Sequence, residues 1–473
     1  MNKSSQEQKK ELSKWLVLAM VAVLAFGFVY HQRPVEVLTP SGHWALGCVI
    51  FALAAWMVFP ARLPRGVAGM LMMGLLLVGG LPYQDVFAGF TSSAVWIIIP
   101  AFLFGHVIQE TGLGVRLTAL VLDRFQGNIT RTALGLMLIG IVFSMLTPSI
   151  TVRIAIIMPI VLGIIRALQL PGRSREAAFI SLVAYTAILI PGNGWLTGSL
   201  VGPINMGLLP RELRLDLDWV GYTQALIIPW GIITIFLLIY LFLVFRPRFP
   251  GTGSENTYGK ISPGPVSREE IYAGIILALC FLGYLTTPLH GLESVTITSL
   301  TVFLLFLFGT LSVKSISAGV NWDVVLFIGS IMSIPTVLEN IGLISHLTEG
   351  LKPLVSGMAA QIYVFVFSML LFVFLVRFVD VAWGLPTLTL LMAFAPSLNA
   401  LGIHPVVLCF LSGVIQCFTV MHYMSPFAII SSNILENQGW SEGHLALYGA
   451  GFVISVSLGV LPAIWYWNLL GLL

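Results

Sequence analysis

The stretch RTALGLMLIGIVFSMLTPSITVRIAIIMPIVLGIIRAL, residues 131–168, decides the fold. It is apolar along nearly its whole length, and it is too long for one crossing of a hydrocarbon layer about 30 Å thick. Proline and hydroxyl residues interrupt it in LTPSIT at 146–151. The pattern therefore predicts a re-entrant hairpin, in which two half-helices meet at a tip inside the membrane. Non-helical backbone is tolerated at that depth only where protein or a wet cavity covers it.

The composition of the whole chain agrees with a membrane location. Of 473 residues, 58% are hydrophobic and 9% are charged, whereas about a quarter of a soluble domain is charged. Lysine and arginine number 23 and aspartate and glutamate 20, so there is neither a basic nucleic-acid surface nor an acidic tail. A soluble enzyme, a disulfide scaffold and a disordered protein are excluded. The class predicted is an all-α polytopic protein of the lipid bilayer, without a nucleic-acid partner.

The remaining apolar runs predict eleven crossing helices and a second hairpin. A broken apolar stretch at about 357–402 carries GLPTLT at 384–389 and gives the second hairpin. The four cysteines lie far apart and form no metal or disulfide spacing. The predicted crossings are 15–31, 43–60, 66–82, 91–110, 177–207, 222–245, 271–288, 294–312, 322–343, 404–434 and 444–470.

The lysines and arginines predict the orientation. With the N-terminus in the cytoplasm, 17 of them fall in cytoplasmic segments and 4 outside, which fits the positive-inside rule. The remaining two, Arg153 and Arg377, lie within the hairpins. We expect a multi-pass protein of the cytoplasmic (inner) membrane with an uncleaved first span and its C-terminus outside.

The order of the elements predicts an inverted repeat. A polar segment rich in proline, glycine and serine, 247–268, is predicted as a cytoplasmic linker between the halves 1–246 and 269–473. Each half has spans, then a hairpin, then a helix broken at proline, and an odd number of crossings places the halves in opposite orientations. Such repeats bind substrate near the midplane, between discontinuous helices. The broken helices are predicted at about 177–207, with PGNGWLTGSLVGPIN at 191–205, and at about 404–434, with HYMSPF at 422–427.

Helix ends stranded inside the membrane point to an anionic ligand. The first turn of a helix has unpaired N–H groups and a partial positive charge, while freed carbonyls can hold a small cation. The candidate substrate-binding residues are Ser149, Thr151, Arg153, Asn193, Thr197, Thr387, Thr389, His422 and Ser425. The candidate ligands of a coupling cation, with sodium possible at the hairpin tips, are Ser149, Thr151, Gly192, Thr387 and Asp380.

Several of these residues have a structural interpretation as well. Arg153 suits a carboxylate, but it could instead pair with an acidic side chain. Arg377 and Asp380 are spaced to neutralise each other as an ion pair, and a proton or cation role for Asp380 is the alternative. His422 could hydrogen-bond an anion or be a satisfied buried histidine.

The segment TPSITVR at 147–153 resembles a motif of the divalent-anion/sodium symporter family. A subgroup with citrate/succinate, tartrate/succinate and 2-oxoglutarate/malate exchangers carries Thr-Pro-Ser-Asn-Thr-Ala-Arg there, and YMSPFAII at 423–430 is similar to the family's Thr-Pro-Pro-Asn-Ala-Ile segment. The likeness extends from about 88 to 470 and includes FTSSAVWIIIPAFLFGHVIQETGLGVRL at 90–117. It implies sodium ligands and substrate contacts at the tips, and a homodimer.

Three departures from the family pattern bear on ligand binding. Ile150 and Phe427 replace asparagines, and the second tip, placed at Thr387–Thr389, has no Ser-Asn-Thr. An isoleucine can neither ligate a cation nor hydrogen-bond a carboxylate. We therefore expect a less polar or less charged anion than citrate, with an apolar body packed on Ile150 and Phe427.

The expected function is secondary active transport of a small organic anion by alternating access. The substrate would be a di- or monocarboxylate or a similar oxyanion, coupled to sodium or to exchange with another anion. The alternative is a cation–proton antiporter or an oxyanion efflux carrier that uses Asp380. No enzyme constellation is present in the sequence, and no cofactor is expected besides sodium as a coupling ion.

Overall fold

The computed structural model describes residues 38–58, 64–125, 129–214, 217–247, 264–359, 361–380 and 384–473. The predicted span at 15–31 and most of the predicted linker lie outside these residues. Within the described ranges the regular structure is helical, which agrees with the all-α prediction.

The first part of the chain, up to the predicted linker, contains nine helices that we number among the described residues. Between them lie a short helix at Tyr83–Val86 and 3₁₀ turns at Ala88–Thr91, Pro191–Gly194 and Arg211–Arg214. The nine are α1 Pro40–Val58, α2 Arg65–Val78, α3 Ser93–Glu110, α4 Leu113–Leu122, α5 Ile129–Leu146, α6 Ile150–Ala167, α7 Arg175–Leu189, α8 Val201–Leu208 and α9 Trp219–Phe245.

The second part follows the same order of elements. Short helices at Thr287–His290 and Val313–Gly319 and a 3₁₀ turn at His422–Met424 are not numbered. The numbered helices are α10 Arg268–Leu285, α11 Ser294–Leu307, α12 Trp322–Met332, α13 Ile334–Asn340, α14 Leu343–Ala359, α15 Ile362–Val376, α16 Leu385–Ala393, α17 Ala395–Ala400, α18 Pro405–Cys417, α19 Pro426–Ile434 and α20 Glu442–Leu469.

Six helical segments among the described residues are long and apolar enough to cross a membrane. This supports the predicted class of polytopic helical membrane protein, while the predicted number of crossings stays a prediction. The segments are Ser93–Glu110, Ile150–Ala167, Arg175–Gly194, Trp219–Phe245, Trp322–Asn340 and Glu442–Leu469.

The first predicted hairpin is formed by α5 and α6, which are separated by residues 147–149. Each arm has 18 residues, so it is about 27 Å long and longer than the half-helix we predicted. Proline disfavours helical geometry in the residue before it and lacks an N–H of its own. Pro148 therefore ends α5 at Leu146, and Ser149 is the N-cap of α6.

The second hairpin breaks earlier than predicted. Helix α15 ends at Val376, and α16 begins at Leu385 after Gly384, whose φ is +75°. Glycine adopts this left-handed conformation without the cost that a side chain would bring. Pro386 lies in the first turn of α16, as expected for a helix start. Thr387 and Thr389 therefore belong to the second arm, which begins at Leu385, while the first arm ends at Val376.

Equivalent elements of the two predicted halves make equivalent contacts. Both arms of each hairpin pack against the first segment of the broken helix that follows, α5 and α6 on α7, and α15 and α16 on α18. The second segments cross over: α19 packs on α6, and α8 packs on α16. The hairpins and broken helices thus form one packed unit. Outside this unit, α2 packs on α12 and α3 packs on α11. The two predicted halves thus contain corresponding contacts, and the division between them stays a prediction.

Two loops at one end of this unit are bound to each other, and we call their contact the clasp. Arg166 at the end of α6 forms an ion pair with Glu436 after α19, with 2.6 Å between Nη2 and Oε2. The Arg173 backbone N–H donates to the Gln438 carbonyl at 2.7 Å, and its Nε donates to the Asn437 carbonyl at 2.9 Å. The clasp thus joins the first hairpin to the second broken helix.

The close packing of α5 on α7 gives a test of the fold. A Cβ at Gly140 would overlap the backbone carbonyl of Ala187, so Gly140→Ala should lower the free energy of unfolding by about 1–3 kcal/mol through overpacking. The measurement is the thermal unfolding midpoint of the protein purified in detergent. The matched control is Gly163→Ala on α6, where an added Cβ meets no atom within 4 Å. Equal midpoints for the two variants would contradict the packing described.

Candidate functional site

The guanidinium of Arg153, on the first turn of α6, binds main-chain carbonyls around the first broken helix. Nε and Nη2 donate to the Thr147 carbonyl at 3.1 and 2.7 Å, and Nη1 donates to the Ile188 carbonyl at 2.8 Å. Nη2 also donates to the Gly198 carbonyl. The side chain is fully buried. We call this set of bonds the first brace, because it ties the hairpin tip to the backbone on both sides of the break.

The backbone around the first brace is packed too tightly for side chains. A Cβ at Gly192 would overlap the Gly198 carbonyl and lie 3.0 Å from Arg153 Nη1. A Cβ at Gly198 would overlap the Gly192 carbonyl in turn. Glycine at both positions therefore lets the two sides of the break approach and presents their carbonyls to the guanidinium.

The second half has a corresponding brace, formed by Arg377. This arginine follows α15 directly, and its Nη1 donates to the main-chain carbonyl of Asp380. Its Nη2 donates to the carbonyls of Met424 at 2.6 Å and Phe418 at 3.3 Å, on the two sides of the second break. Arg377 is also fully buried. We call these bonds the second brace. Arg377 thus contacts Asp380 through the Asp380 main-chain carbonyl, and the predicted ion pair between the two side chains stays a prediction.

The two braces solve the same physical problem. A charged arginine inside a membrane protein is costly unless it is hydrogen-bonded or paired, and so is an unpaired carbonyl of unwound backbone. Arg377 Nε is buried without a hydrogen-bond partner among the described residues, so the second brace satisfies its guanidinium less completely than the first. In each half one guanidinium satisfies carbonyls from the hairpin tip and from both sides of the break. Arg153 stands just after its tip and Arg377 just before, so the equivalence lies in the bonds and not in the sequence position.

The Asp380 side chain caps the second arm of the second hairpin, because it accepts hydrogen bonds from Thr387 in the first turn of α16. The Thr387 hydroxyl donates to Oδ2 at 2.5 Å and the Thr387 backbone N–H donates to the same oxygen at 3.2 Å. A carboxylate at this place satisfies an N–H of the first turn and complements the helix dipole. Two predicted coupling-ion ligands, Asp380 and Thr387, are thus in direct contact.

The two breaks touch each other. Asn193 in the first break donates from Nδ2 to Cys417 Sγ at the end of α18, at 3.2 Å, and accepts a hydrogen bond from Ser199. The hydroxyls of Tyr185 on α7 and Ser425 in the second break share a hydrogen bond of 3.0 Å. The structure therefore brings Asn193, Arg153, Gly192 and Ser425 into one buried region.

The remaining predicted residues are more dispersed. Ser149 is buried and its backbone N–H donates to Thr147 Oγ1, whereas Thr151 is exposed. Thr197 accepts a hydrogen bond from the Trp219 indole, and Thr389 Oγ1 is buried without a partner among the described residues. His422 binds Glu442 and Trp440, away from the braces.

A small cavity lies beside the first tip. Its volume is about 10 Å³, which is room for about one water molecule. Pro148 and Thr197 line it together with residues of α3, α10 and α11, and none of its lining residues belongs to the second hairpin. Within the described ranges, the two tips therefore do not share this cavity.

Sequence reasoning did not identify Tyr185, Ser199 or Cys417 as contributors. Tyr185 and Cys417 lie inside continuous apolar runs, where such residues normally serve as packing. Ser199 lies in the quoted break, and its hydroxyl beside the glycines was the one available signal.

Comparison with known proteins identifies one family. The family model described as "Sodium:sulfate symporter transmembrane region" matches residues 12–473. This confirms the resemblance drawn from the sequence.

Curated relatives cover most of the chain at low identity. The chloroplastic dicarboxylate transporter 1 of Arabidopsis thaliana is 22% identical and covers 96% of this chain and 83% of its own length. The L-tartrate/succinate antiporter of Escherichia coli O6:K15:H31 is 23% identical, with 97% and 89% covered. The putative malate transporter YflS of Bacillus subtilis is 22% identical, with 75% and 76% covered.

A solved structure shares the fold. The YdaH transporter of Alcanivorax borkumensis superimposes with a TM-score of 0.53 at 16% sequence identity, covering 91% of this chain and 98% of that one. This similarity concerns the fold alone.

The cap at Asp380 can be tested with two threonines of one helix. Thr387→Val removes the hydroxyl that donates to Asp380 and leaves a buried carboxylate with one donor fewer, so it should cost about 1–3 kcal/mol of stability. Thr389→Val is the control, because its hydroxyl has no partner in the described ranges, and we expect it to be neutral or stabilising. Chemical denaturation in detergent measures both, and a larger loss for Thr389→Val would contradict the arrangement.

Proposed function

Because this chain belongs to the sodium:sulfate symporter transmembrane family, we propose that it is a secondary active transporter that exchanges one small organic anion for another. The relatives are named as dicarboxylate, malate and tartrate/succinate carriers, one of them an antiporter. These names support a small carboxylate as the substrate class.

The observation that carries the exchange mechanism is the pair of braces. Unwound carbonyls at broken helices are the groups that coordinate sodium in transporters built from inverted repeats. Here the carbonyls of Ile188 and Gly198, and those of Phe418 and Met424, are bound by arginine side chains. A covalently fixed cation therefore stands beside each break.

Fixed charges have a consequence for the transport cycle. A sodium ion can dissociate, so a sodium-coupled carrier can return without charge after it releases its substrate. The buried guanidinium of Arg153 stays, and its charge is costly in the low-dielectric interior without an anion nearby. Arg377 differs, because the neighbouring Asp380 interacts with it electrostatically. The loaded carrier is therefore expected to move more readily than the empty one, which is the property of an exchanger.

Two apolar residues support an anion with an apolar body. Ile150 is the first residue of α6 and Phe427 the second residue of α19, and these two helices pack against each other. Both side chains are buried. They occupy positions where the related motifs have asparagine. A methylene chain of the substrate would pack on these side chains more favourably than a third carboxylate group would.

The transport movement, the orientation and the assembly are proposed from the sequence. We propose alternating access by movement of the unit formed by the hairpins and broken helices, with the N-terminus in the cytoplasm, the C-terminus outside and a homodimer as the assembly. Sodium at the hairpin tips remains the alternative coupling ion.

Counterflow in proteoliposomes tests exchange. Vesicles loaded with unlabelled succinate should take up labelled succinate or malate much faster than empty vesicles, and equally fast in sodium and in choline buffer. Vesicles with protein but no internal anion are the control. Uptake that needs an inward sodium gradient and is not stimulated by internal anion would rule out exchange.

Asp380→Asn separates exchange from cation–proton antiport. Asparagine keeps an oxygen that can accept from Thr387, so an exchanger should retain counterflow, whereas an antiporter that titrates Asp380 should lose all activity. Arg153→Gln is the companion variant: it removes the fixed charge of the first brace and should reduce counterflow at least about tenfold, the effect of roughly 1.4 kcal/mol. Loss in Asp380→Asn together with full activity in Arg153→Gln would favour the antiporter.

A further inference from the structure

His422, in the 3₁₀ turn of the second break, is held by two side chains from the start of α20 and the loop before it. Its Nδ1 lies 2.6 Å from Glu442 Oε1 and its Nε2 lies 2.9 Å from Trp440 Nε1. Trp440 is almost completely buried and packs against the ring of Tyr185, with 5.6 Å between the ring centroids. His422 is partly exposed and Glu442 largely exposed.

These two partners determine the tautomer of the imidazole. An indole N–H can only donate, so Nε2 of His422 must accept from Trp440 and carries no proton. Nδ1 therefore carries the proton and donates to the Glu442 carboxylate. In this neutral form both ring nitrogens are satisfied.

Protonation makes the arrangement incompatible with Trp440. The imidazolium has a second N–H on Nε2 and no acceptor left on the ring, so two N–H groups would face each other across 2.9 Å. The bond to Glu442 persists and strengthens, because both partners are then charged. The indole or the imidazole must turn, and the new N–H needs an acceptor.

A cavity beside His422 can supply that acceptor. Its volume is about 280 Å³, which is enough for a four-carbon dicarboxylate. Asn433, Asn437, Ser432 and Ser441 contribute polar groups to its wall. It lies between the loop after α6 and the loop after α19, both of which the predicted topology places in the cytoplasm.

The charged and titratable groups around the cavity include His444, whose Nδ1 accepts from the Ser441 N–H, and Arg175, which interacts with His444 electrostatically. Glu442 faces His422 from α20, and Arg173 lines the wall from the loop after α6. Glu436 is paired with Arg166, and the neighbouring Tyr423 hydroxyl donates to the Phe378 carbonyl. With His422 neutral, Arg173 and Glu442 offset each other. One proton on His422 makes the wall net positive.

We propose that this cavity is a cytoplasmic binding site for a small carboxylate, and that the anion and a proton on His422 bind together. The protonated Nε2 donates to the anion carboxylate, and Arg173 contributes the second positive charge. The inference deepens the proposed exchange function by adding an entry site where substrate and proton are linked.

The site is connected to the second brace through a short path. His422 is two residues from Met424, whose carbonyl binds Arg377, and three from Ser425, which binds Tyr185. Release of Trp440 from His422 also frees the ring that packs on Tyr185. Occupation of the cavity therefore acts on the backbone that the second brace holds.

Calorimetry with succinate as the probe tests the proposal on the full-length protein in detergent. Titrations at one pH in two buffers of different ionisation enthalpy give the number of protons taken up on binding. The wild type should take up as much as one proton on binding, and its affinity should fall as pH rises, by at most about tenfold per pH unit for one linked proton. His422→Gln should bind without proton uptake and without this pH dependence.

Two further variants distinguish a specific effect on proton-linked binding from a loss of folded structure. Trp440→Phe removes the N–H that opposes protonation, so it should bind succinate more tightly than wild type near neutral pH and keep the proton uptake. Glu442→Gln removes the carboxylate that accepts from His422 Nδ1, so it should take up fewer protons than the wild type in the same buffers. A gain in affinity in one variant and a reduced proton uptake in the other cannot both arise from misfolding.

The outcomes separate this site from the exchange mechanism. Binding without proton uptake in the wild type, or unchanged proton uptake in His422→Gln, would overturn the proposal. Each of these results is compatible with trans-stimulated counterflow in the vesicle assay, so the exchange mechanism would stand. Conversely, proton-linked binding without counterflow would retain the site and reject exchange.

Discussion

The structure depends on the hydrogen bonds between buried guanidinium groups and unwound main chain. Backbone that leaves the helix inside a bilayer has no water to bond with, and each unpaired carbonyl costs free energy. Arg153 and Arg377 supply planar, multiply donating groups that bind several carbonyls from one position. The need to pair these carbonyls accounts for the positions of the hairpin tips beside the broken helices. It also accounts for the close approach of the two glycines at the first break.

Local sequence signals located the first hairpin more accurately than the second. In the first, proline lies inside the break itself, so LTPSIT at 146–151 encloses the observed interruption at 147–149. In the second, Pro386 lies one turn inside the new helix, and the break before it depends on the left-handed Gly384. A proline marks the beginning of a helix as readily as the end of one, so the prediction was displaced by a few residues.

The chemistry of the site was only partly predictable, because most acceptors are backbone carbonyls. Any residue can supply such an oxygen, so the residue types at Ile188, Phe418 and Met424 gave no indication of their role. Arg153 and Arg377 could be recognised as unusual because charge is rare in apolar runs. Their partners, and the pairing of Tyr185 with Ser425, are tertiary contacts across distant segments that no local pattern encodes.

The clasp between the loops after α6 and α19 has a mechanical consequence. It fastens the hairpin of one half to the interrupted helix of the other, by an ion pair and two bonds from Arg173. The first hairpin and the second broken helix cannot then slide past each other without breaking these polar contacts. Relative displacement of these two elements is therefore resisted at this rim by contacts that belong to both halves of the chain.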